Sequence, residues 1–293
     1  MPVEHRTRAL VLRTFDQGES DRVVHLYTEA LGRVGAIAKG ARRSKRRFPG
    51  TLEILSVADV RLVDPPRAQL MRLENAKLVR AFEAIPLRLG RYAIACQFLE
   101  LLDRSTPERQ PQPELFAFAL GVLDVLDQSE PDALLALLVL AKTLARLGYR
   151  PQLVRCALCD ADLPAGGRVA FMPAHGGAVC RACAPLEDAR VPAKLLRALE
   201  SGLRQPLRAR GELGLSAREV EQAARLVERF FRFHIGFELR SEAFLRAALA
   251  DAAERAESVD GAASREDTAP PSDPGAATAR LERGDHELGE AIR

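Results

Sequence analysis

Four cysteines in two closely spaced pairs are the residues of this chain best suited to specific chemistry. Cys156 and Cys159 form the first pair, and Cys180 and Cys183 form the second after twenty intervening residues. Two C-x-x-C pairs at this separation can present four thiolates tetrahedrally to one metal ion. Glycines and prolines in the intervening segment supply the turns that bring the pairs together. The spacing therefore predicts one metal site with these four cysteines as ligands.

Zinc, iron and disulfide bonds are the alternatives for these thiols. Disulfide bonds need an oxidising compartment, and the first residues carry no apolar segment typical of an export signal. An iron or iron–sulfur centre also accepts four thiolates. We favour structural Zn²⁺, whose four protein ligands would leave no open position for water or substrate. His175 could be an additional ligand, but a solvent-facing loop histidine is the simpler interpretation. The metal then indicates a folded unit rather than a catalyst.

A run of positive charge is the second chemical feature. Six of the nine residues from Lys39 to Arg47 are basic and none is acidic. Like charges at this density repel one another unless a polyanion, salt or water screens them, and a phosphate backbone can do so. We predict these nucleic-acid contacts, with the last two as additions: Lys39, Arg42, Arg43, Lys45, Arg46, Arg47, Arg22 and Arg33. The alternative is a solvated loop without a partner, and charge alone does not distinguish DNA from RNA.

Charge is unevenly distributed along the chain. The formal net charge is +3, but residues 1–80 carry 16 Lys and Arg against 9 Asp and Glu, whereas residues 251–293 carry 5 against 11. A basic first segment predicts an anionic partner. The acidic last segment has few apolar residues and cannot offset its chain entropy by burial, so we expect it to be disordered. We also expect it to compete with an anionic partner of the basic segment.

Hydrophobic periodicity predicts an α+β multidomain protein. Short β-rich segments at 7–15, 22–28, 33–39, 52–63 and 69–79 are typical of a small β-barrel of the OB type, although an SH3-like barrel would show much the same pattern. Later segments have a helical period. They are 89–102, 114–127, 131–147, 192–203, 216–234 and 241–253, with Pro131 in a first turn and Ser216 and Glu219 in a capping box.

The expected organisation has five parts. An OB-fold nucleic-acid-binding domain occupies 1–80, and a helical domain occupies 81–155 and 186–253. A four-cysteine zinc unit at 156–185 is embedded in it, and the acidic tail covers 254–293. No apolar run is long enough to cross a bilayer, so we expect no membrane partner and a reduced, cytoplasmic protein.

Smaller expectations concern single side chains. Cys96 lies in an apolar helical pattern and is expected to be a buried free thiol, and the phenylalanines near His234 are expected in the core. With no Trp and 5% aromatic residues, few rings remain for base stacking. The chain lacks a phosphate-binding GxxxxGK[ST] loop, an HExxH and a GxSxG motif, so an enzyme is not expected.

Taken in order, several motifs resemble the RecO family of bacterial recombination mediators over about residues 5–250. The most specific piece is Leu147-Gly148-Tyr149-Arg150-Pro151 followed by the first cysteine pair. The others are Gly18-Glu19-Ser20-Asp21, Tyr27-Thr28, Gly32-Arg33, Lys39-Gly40-Ala41-Arg42, Phe98 to Leu102, Pro113 to Phe116, Gly176 to Cys183 and Glu238 to Leu245.

The resemblance implies an OB-fold domain, a helical domain with an embedded zinc unit, and no catalytic centre. It further implies binding to single- and double-stranded DNA, annealing of complementary strands, and partnership with RecR. Such proteins help to load RecA onto DNA coated by single-stranded-DNA-binding protein, whose acidic, apolar C-terminal tail they recognise. A nucleoid-associated location would follow. Two alternatives stay open from the residues themselves: a zinc-stabilised OB-fold module that binds RNA, and a scaffold without a nucleic-acid partner.

Overall fold

A computed structural model describes residues 3–44, 46–65, 69–184, 190–252 and 254. Two compact units divide the chain, Met1–Ala253 and Glu254–Arg293. Of the second unit only Glu254 is described, so the expected disorder of the acidic tail lies outside the described residues.

Five strands form the N-terminal β-barrel: β1 (Val3–Gln17), β2 (Asp21–Thr28), β3 (Gly32–Ala38), β4 (Ser56–Asp64) and β5 (Met71–Ala81). The barrel closes in the order β1-β2-β3-β5-β4, and β4 pairs with β1. All pairs are antiparallel except β3 with β5. This arrangement is the Greek-key order of an OB fold, which decides against the SH3-like alternative. The expected strand at 52–55 is wrong, because Leu55 has a φ of 68° and the segment is a loop in which Leu52 and Leu55 are buried and Glu53 is exposed.

The barrel interior contains small and branched apolar side chains from every strand, among them Val11, Leu26, Val34, Val60 and Leu73. Strand alternation places the intervening residues outside the barrel. On β1 and β2 those outward residues include Leu10, Leu12 and Tyr27, which are also buried and belong to the core of the helical region. Both faces of this part of the sheet are therefore covered.

The helical region contains α1 (Leu89–Ser105), α2 (Pro113–Gln128), α3 (Ala133–Arg146), α4 (Ala193–Arg204), α5 (Ala217–Ile235) and α6, residues 242–252. Helix α3 is the buried centre of this region, because all seven residues from Leu135 to Ala141 are buried. The predicted capping box of Ser216 and Glu219 begins α5. Pro131 lies outside the first turn of α3, since the side chain of Asp132 caps that helix. No helix among the described residues is long and apolar enough to cross a membrane.

Three short strands follow α3 and precede α4 in the chain, and they form one sheet. Strands β6 (Arg168–Met172), β7 (Gly177–Val179) and β8 (Arg190–Pro192) are arranged in the order β7-β6-β8. Gly177 has a φ of 151° and packs directly on the backbone of Gln152, where an added Cβ would lie 2.2 Å from the carbonyl oxygen. This close contact fixes the segment before the first cysteine pair against the strand before the second pair.

Polar contacts attach the barrel to the helices. His25 Nδ1 lies 2.7 Å from a carboxylate oxygen of Asp103 on α1. Arg33 Nε donates to the Thr106 carbonyl at 2.9 Å, and the Arg109 guanidinium forms two hydrogen bonds with Asp64 at 2.6 and 3.0 Å. The segment after α1 therefore runs along β3. OB folds commonly bind oligonucleotides on the face of β2 and β3, and here helix α1 and this segment cover that face.

Candidate metal centre and nucleic-acid interface

The four predicted ligand cysteines meet in space. Their Sγ atoms all lie within 4.8 Å of one another, and the Cys159 and Cys180 Sγ atoms are 3.8 Å apart. A tetrahedral zinc ion with Zn–S bonds of about 2.3 Å separates its sulfurs by about 3.8 Å. A disulfide bond, at about 2.05 Å, is far shorter. The donor set therefore fits one metal ion bound by four thiolates.

The close contact of these cysteines shifts the pKa values of their thiols in opposite directions. Burial raises the pKa of the Cys156 thiol, but hydrogen bonds from the backbone N–H groups of Cys180, Cys159 and Leu158 outweigh it and lower the pKa to about 6. The neighbouring Cys180 and Cys159 raise the pKa of Cys183 to about 12. Several thiolates this close repel one another, and a bound cation removes that repulsion.

The cysteine cluster is packed into the helical region. Phe171 on β6 lies against Phe230 on α5, with ring centroids 6.2 Å apart. His234 Nε2 lies 3.0 Å from the Pro173 carbonyl oxygen, so this histidine has a structural hydrogen-bond partner. Phe230 and Phe231 are buried as expected, but Phe233 is 58% exposed. Because Cys156 and Phe171 belong to the same core as the helices, the metal unit and α5 should lose stability together.

The predicted cationic loop, residues 39–47, packs through its described residues (39–44, 46 and 47) against the turn between β1 and β2. Lys39 Nζ lies 2.7 Å from Asp21 Oδ2, and the Gly40 N–H donates to the same carboxylate at 2.8 Å. Hydrogen bonds from Lys39 and Gly40 lower the pKa of Asp21 to about 2. Asp21, the first residue of β2, therefore positions the start of the cationic loop.

The arginines of the cationic loop differ in whether a carboxylate pairs with them. Arg42 lies 3.5 Å from Asp16, and Arg43 lies 3.7 Å from Glu19. The Arg47 guanidinium donates to the Lys39 carbonyl and lies 5.1 Å from the Phe48 ring centroid. Arg46 is exposed and has no ion pair with any residue that the structure describes, and Lys45 lies outside the described residues.

The two additional arginines are placed differently from expectation. Arg22 lies near the loop but forms ion pairs with Asp16 at 3.1 Å and Glu53 at 2.7 Å. The side chain of Arg33 is only 18% exposed and contacts Glu108 at 3.2 Å. Because Arg33 holds the barrel to the helical region, we exclude it from the phosphate contacts. Its position on β3 gave no sign that a segment more than seventy residues later would cover it.

Aromatic stacking has little support on this barrel. Tyr27 and Phe48 are 1% and 6% exposed, whereas Phe15 is 42% exposed. Burial raises the pKa of Tyr27 to about 12, and its ring lies 6.2 Å from that of Phe116 on α2. Only Phe15 of these rings is therefore accessible to a base, which strengthens the expectation that charge dominates binding.

A cationic groove between α2, α3 and the segment after α4 was not foreseen. Its volume is about 450 Å³, and its apolar floor includes Phe118, Val122 and Leu207. Its cationic residues are Lys142, Arg146, Arg150 and Arg204. Burial, followed by the positive charges of Arg146 and Arg150, lowers the pKa of Lys142. In the sequence these cations look like solvated residues, and Arg204 is more than fifty residues after the other three, so no local signal could reveal the groove.

Comparisons with known proteins agree with this architecture. The family model described as "Recombination protein O N terminal" matches residues 1–82, and the one described as "Recombination protein O C terminal" matches residues 86–243. The "DNA repair protein RecO" of Myxococcus xanthus (strain DK1622) is 40% identical over 245 residues, which are 81% of this chain and 95% of the relative. The protein of the same name from Anaeromyxobacter dehalogenans (strain 2CP-C) is 37% identical over 247 residues, 80% of this chain and 93% of the relative. With both family models matched and relatives this similar, the chain belongs to the recombination protein O (RecO) family.

Proposed function

We propose that this protein is a DNA repair protein that acts as a non-enzymatic recombination mediator. It binds single- and double-stranded DNA, anneals complementary strands and, with RecR, helps to load RecA onto DNA coated by single-stranded-DNA-binding protein. Membership of the RecO family and the name of the relatives support the DNA repair role. The exposed cationic loop on a barrel of the OB type is the observation that carries the DNA contact.

The DNA contacts that we propose are the side chains of Lys39, Arg42, Arg43, Lys45, Arg46 and Arg47, with Arg22 as a weaker addition. The pairs of Arg42 and Arg43 with carboxylates are exposed, and such pairs are weak enough for a phosphate to replace them. Cations on one exposed loop can neutralise two phosphate backbones at once. This lowers the repulsion that opposes annealing, and the process makes and breaks no covalent bond, so it needs no catalytic group.

The cationic groove is our proposed site for the C-terminal tail of single-stranded-DNA-binding protein. Four cations surround its apolar floor, and Glu200 is the carboxylate that pairs with two of them, Arg150 and Arg204. Arg146 forms no ion pair with a described residue and lies 5.5 Å from the Phe118 ring centroid. An acidic peptide with apolar side chains complements both the charge and the floor.

The metal in this proposal is one structural Zn²⁺ held by Cys156, Cys159, Cys180 and Cys183. With all four positions taken by protein, the ion stabilises the fold and leaves DNA contact to the barrel. The proposed location is the cytoplasm beside the nucleoid, because the proposed substrate is found there. Our proposed domain division remains the one predicted above, with the barrel at 1–80 and the zinc unit at 156–185.

The test measures annealing and DNA affinity in the same variants. The wild-type protein should accelerate annealing of complementary oligonucleotides coated with single-stranded-DNA-binding protein, without ATP. Replacing four loop arginines by Ala should lower the slope of log affinity against log salt for single strands by up to about 2.8, which is about 0.7 per contact. The loop set is Arg42, Arg43, Arg46 and Arg47, and the matched control set is Arg218, Arg225, Arg229 and Arg246.

Each outcome has a distinct meaning. An unchanged slope in the loop variant refutes the loop as the DNA contact, and no annealing by folded, metal-loaded protein refutes the mediator function. Tighter binding to RNA than to DNA of the same sequence would favour the RNA-binding alternative. For the groove, Arg146→Glu should weaken binding of an acidic, apolar C-terminal peptide, while the control Arg218→Glu should not.

A further inference from the structure

A cavity lies between the end of β1, helix α1 and the segment before α6. Its volume is about 460 Å³, within the range of about 300–1,000 Å³ typical of small-ligand pockets. Its apolar walls come from Leu12, Ile54, Cys96 and Leu99. Cys96 was expected to be buried, but it is half-buried because it faces this cavity.

The carboxylates of the cavity already have partners. Glu100 accepts hydrogen bonds from Arg104 at 2.7 Å, from the Arg240 N–H at 2.9 Å and from the Ser241 hydroxyl at 2.7 Å. Asp103 contacts His25 at 2.7 Å, and the Arg33 guanidinium lies 3.8 Å from the same carboxylate. An arginine therefore pairs with each carboxylate, and neither needs a bound cation.

Two arginines on the rim of the cavity are available to bind an anionic group. Arg13 and Arg240 are exposed, line the cavity and form no ion pair with any residue in the described part of the chain. The Arg104 guanidinium lies against Phe237, with its carbon 3.7 Å from the ring centroid. An apolar cavity with guanidinium groups at its mouth suits a ligand that has a flat apolar part and a negative charge beside it.

The position of the cavity favours DNA as that ligand. Arg13 lies 5.6 Å from the centroid of the accessible Phe15 ring, and Asp16 follows on the same strand and pairs with Arg42 of the cationic loop. A strand rises about 3.3 Å per residue, so Arg13 is about 10 Å along β1 from Asp16. A single DNA strand bound to the loop would reach the cavity within a few nucleotides.

We propose that this cavity receives one unstacked base of single-stranded DNA, while Arg13 and Arg240 contact the adjoining phosphates. This inference rests on the proposed DNA binding. It adds a contact with a base, whereas the cationic loop contacts phosphates. Guanidinium planes accept stacked bases as aromatic rings do. A paired base in a duplex would first have to leave its stack, so the cavity favours single strands. When a complementary strand pairs with this base, the base leaves the cavity. The annealed duplex then contacts the protein only through its phosphate backbones.

The first test compares a thymidine oligonucleotide with an abasic oligonucleotide of equal length and equal phosphate number. The wild-type protein should bind the thymidine strand about tenfold more tightly, because one stacked base contributes about that factor. Cys96→Phe, which fills the cavity, should abolish this difference and leave the salt slope set by the loop. Leu89→Phe is the matched control, since Leu89 is an exposed residue of the same helix outside the cavity.

A second measurement needs no variant. Alkylation of Cys96 by N-ethylmaleimide, followed by mass spectrometry of its peptide, should be slowed by the thymidine strand and not by the abasic strand. Equal affinity for both strands, or equal protection by both, overturns the base-binding cavity while the loop's salt dependence still supports the proposed function. Loss of all salt-dependent DNA binding refutes the proposed function itself. Protection by an acidic, apolar peptide alone would assign the cavity to a protein partner and overturn the proposal.

Discussion

Removing carboxylates beside the cationic loop should strengthen DNA binding. Asp16 pairs with Arg42 at 3.5 Å, and Glu19 pairs with Arg43 at 3.7 Å, so each carboxylate offsets one cation that could contact a phosphate. The double variant Asp16→Asn with Glu19→Gln frees both arginines, Arg42 and Arg43, from these pairs. The fold should tolerate it, because these side chains are exposed and Arg22 keeps its partner Glu53 at 2.7 Å.

The magnitude follows from counterion release. A carboxylate that stays paired with its arginine in the wild-type complex withholds one phosphate contact, which is about 0.7 in the slope for single strands. Removing both carboxylates should therefore steepen the slope by up to about 1.4. Lowering the salt fourfold, from about 200 to about 50 mM, should then raise the affinity of the variant by up to about sevenfold more than it raises that of the wild type. Fluorescence anisotropy of a labelled thymidine oligonucleotide across this range measures both slopes.

The control makes the same change of charge in the helical region. Glu221→Gln with Glu228→Gln also removes two carboxylates that pair with arginines, Arg225 and Arg246. Because the arginines that it frees are not part of the cationic loop, this variant should keep the wild-type slope. An equal steepening in both variants would mean that net charge, not the loop, sets binding. No steepening in either would refute the role of these pairs.

Three further predictions follow from single sites. Cys159→Ala should abolish the binding of one zinc ion per chain, measured by metal analysis, and should lower the thermal midpoint of the helices, which shifts by about 2–4 °C per kcal/mol in a region of this size. Ser216→Ala should reduce the free energy of unfolding by about 1 kcal/mol in denaturant titrations, because it removes the capping box of α5. Lys39→Ala should raise the pKa of Asp21 from about 2 towards its ordinary value in NMR titrations. Because the folded pKa is depressed, this pair's contribution to stability is present above about pH 4 and is lost as the pH falls towards 2. The variant should show a smaller acid-dependent loss, since the Gly40 N–H still donates to Asp21.

Residue patterns within single segments of the sequence determine much of this protein's structure. The cysteine spacing predicted a four-thiolate site, and the four sulfurs meet within 4.8 Å. Alternation and helical periodicity predicted the barrel strands and the helices, since each pattern reports which side of a segment is buried. A dense run of like charge predicted an exposed loop, because such a run is costly to bury. These features depend on residues that are close together in the chain, so they can be predicted from the sequence alone.

Only the tertiary structure decided which surfaces remain free. His25 and Asp103 are 78 residues apart and meet at 2.7 Å, where the helices cover the barrel face that OB folds commonly use. Packing against Phe116 likewise buries Tyr27, and contacts with Thr106 and Glu108 withdraw Arg33 from the proposed DNA contacts. The cavity beside Cys96 lies between the same two parts of the protein. The groove around Lys142 likewise combines segments about sixty residues apart. A periodic pattern shows that a face is buried but not what buries it, because the partner is chosen by packing among distant segments.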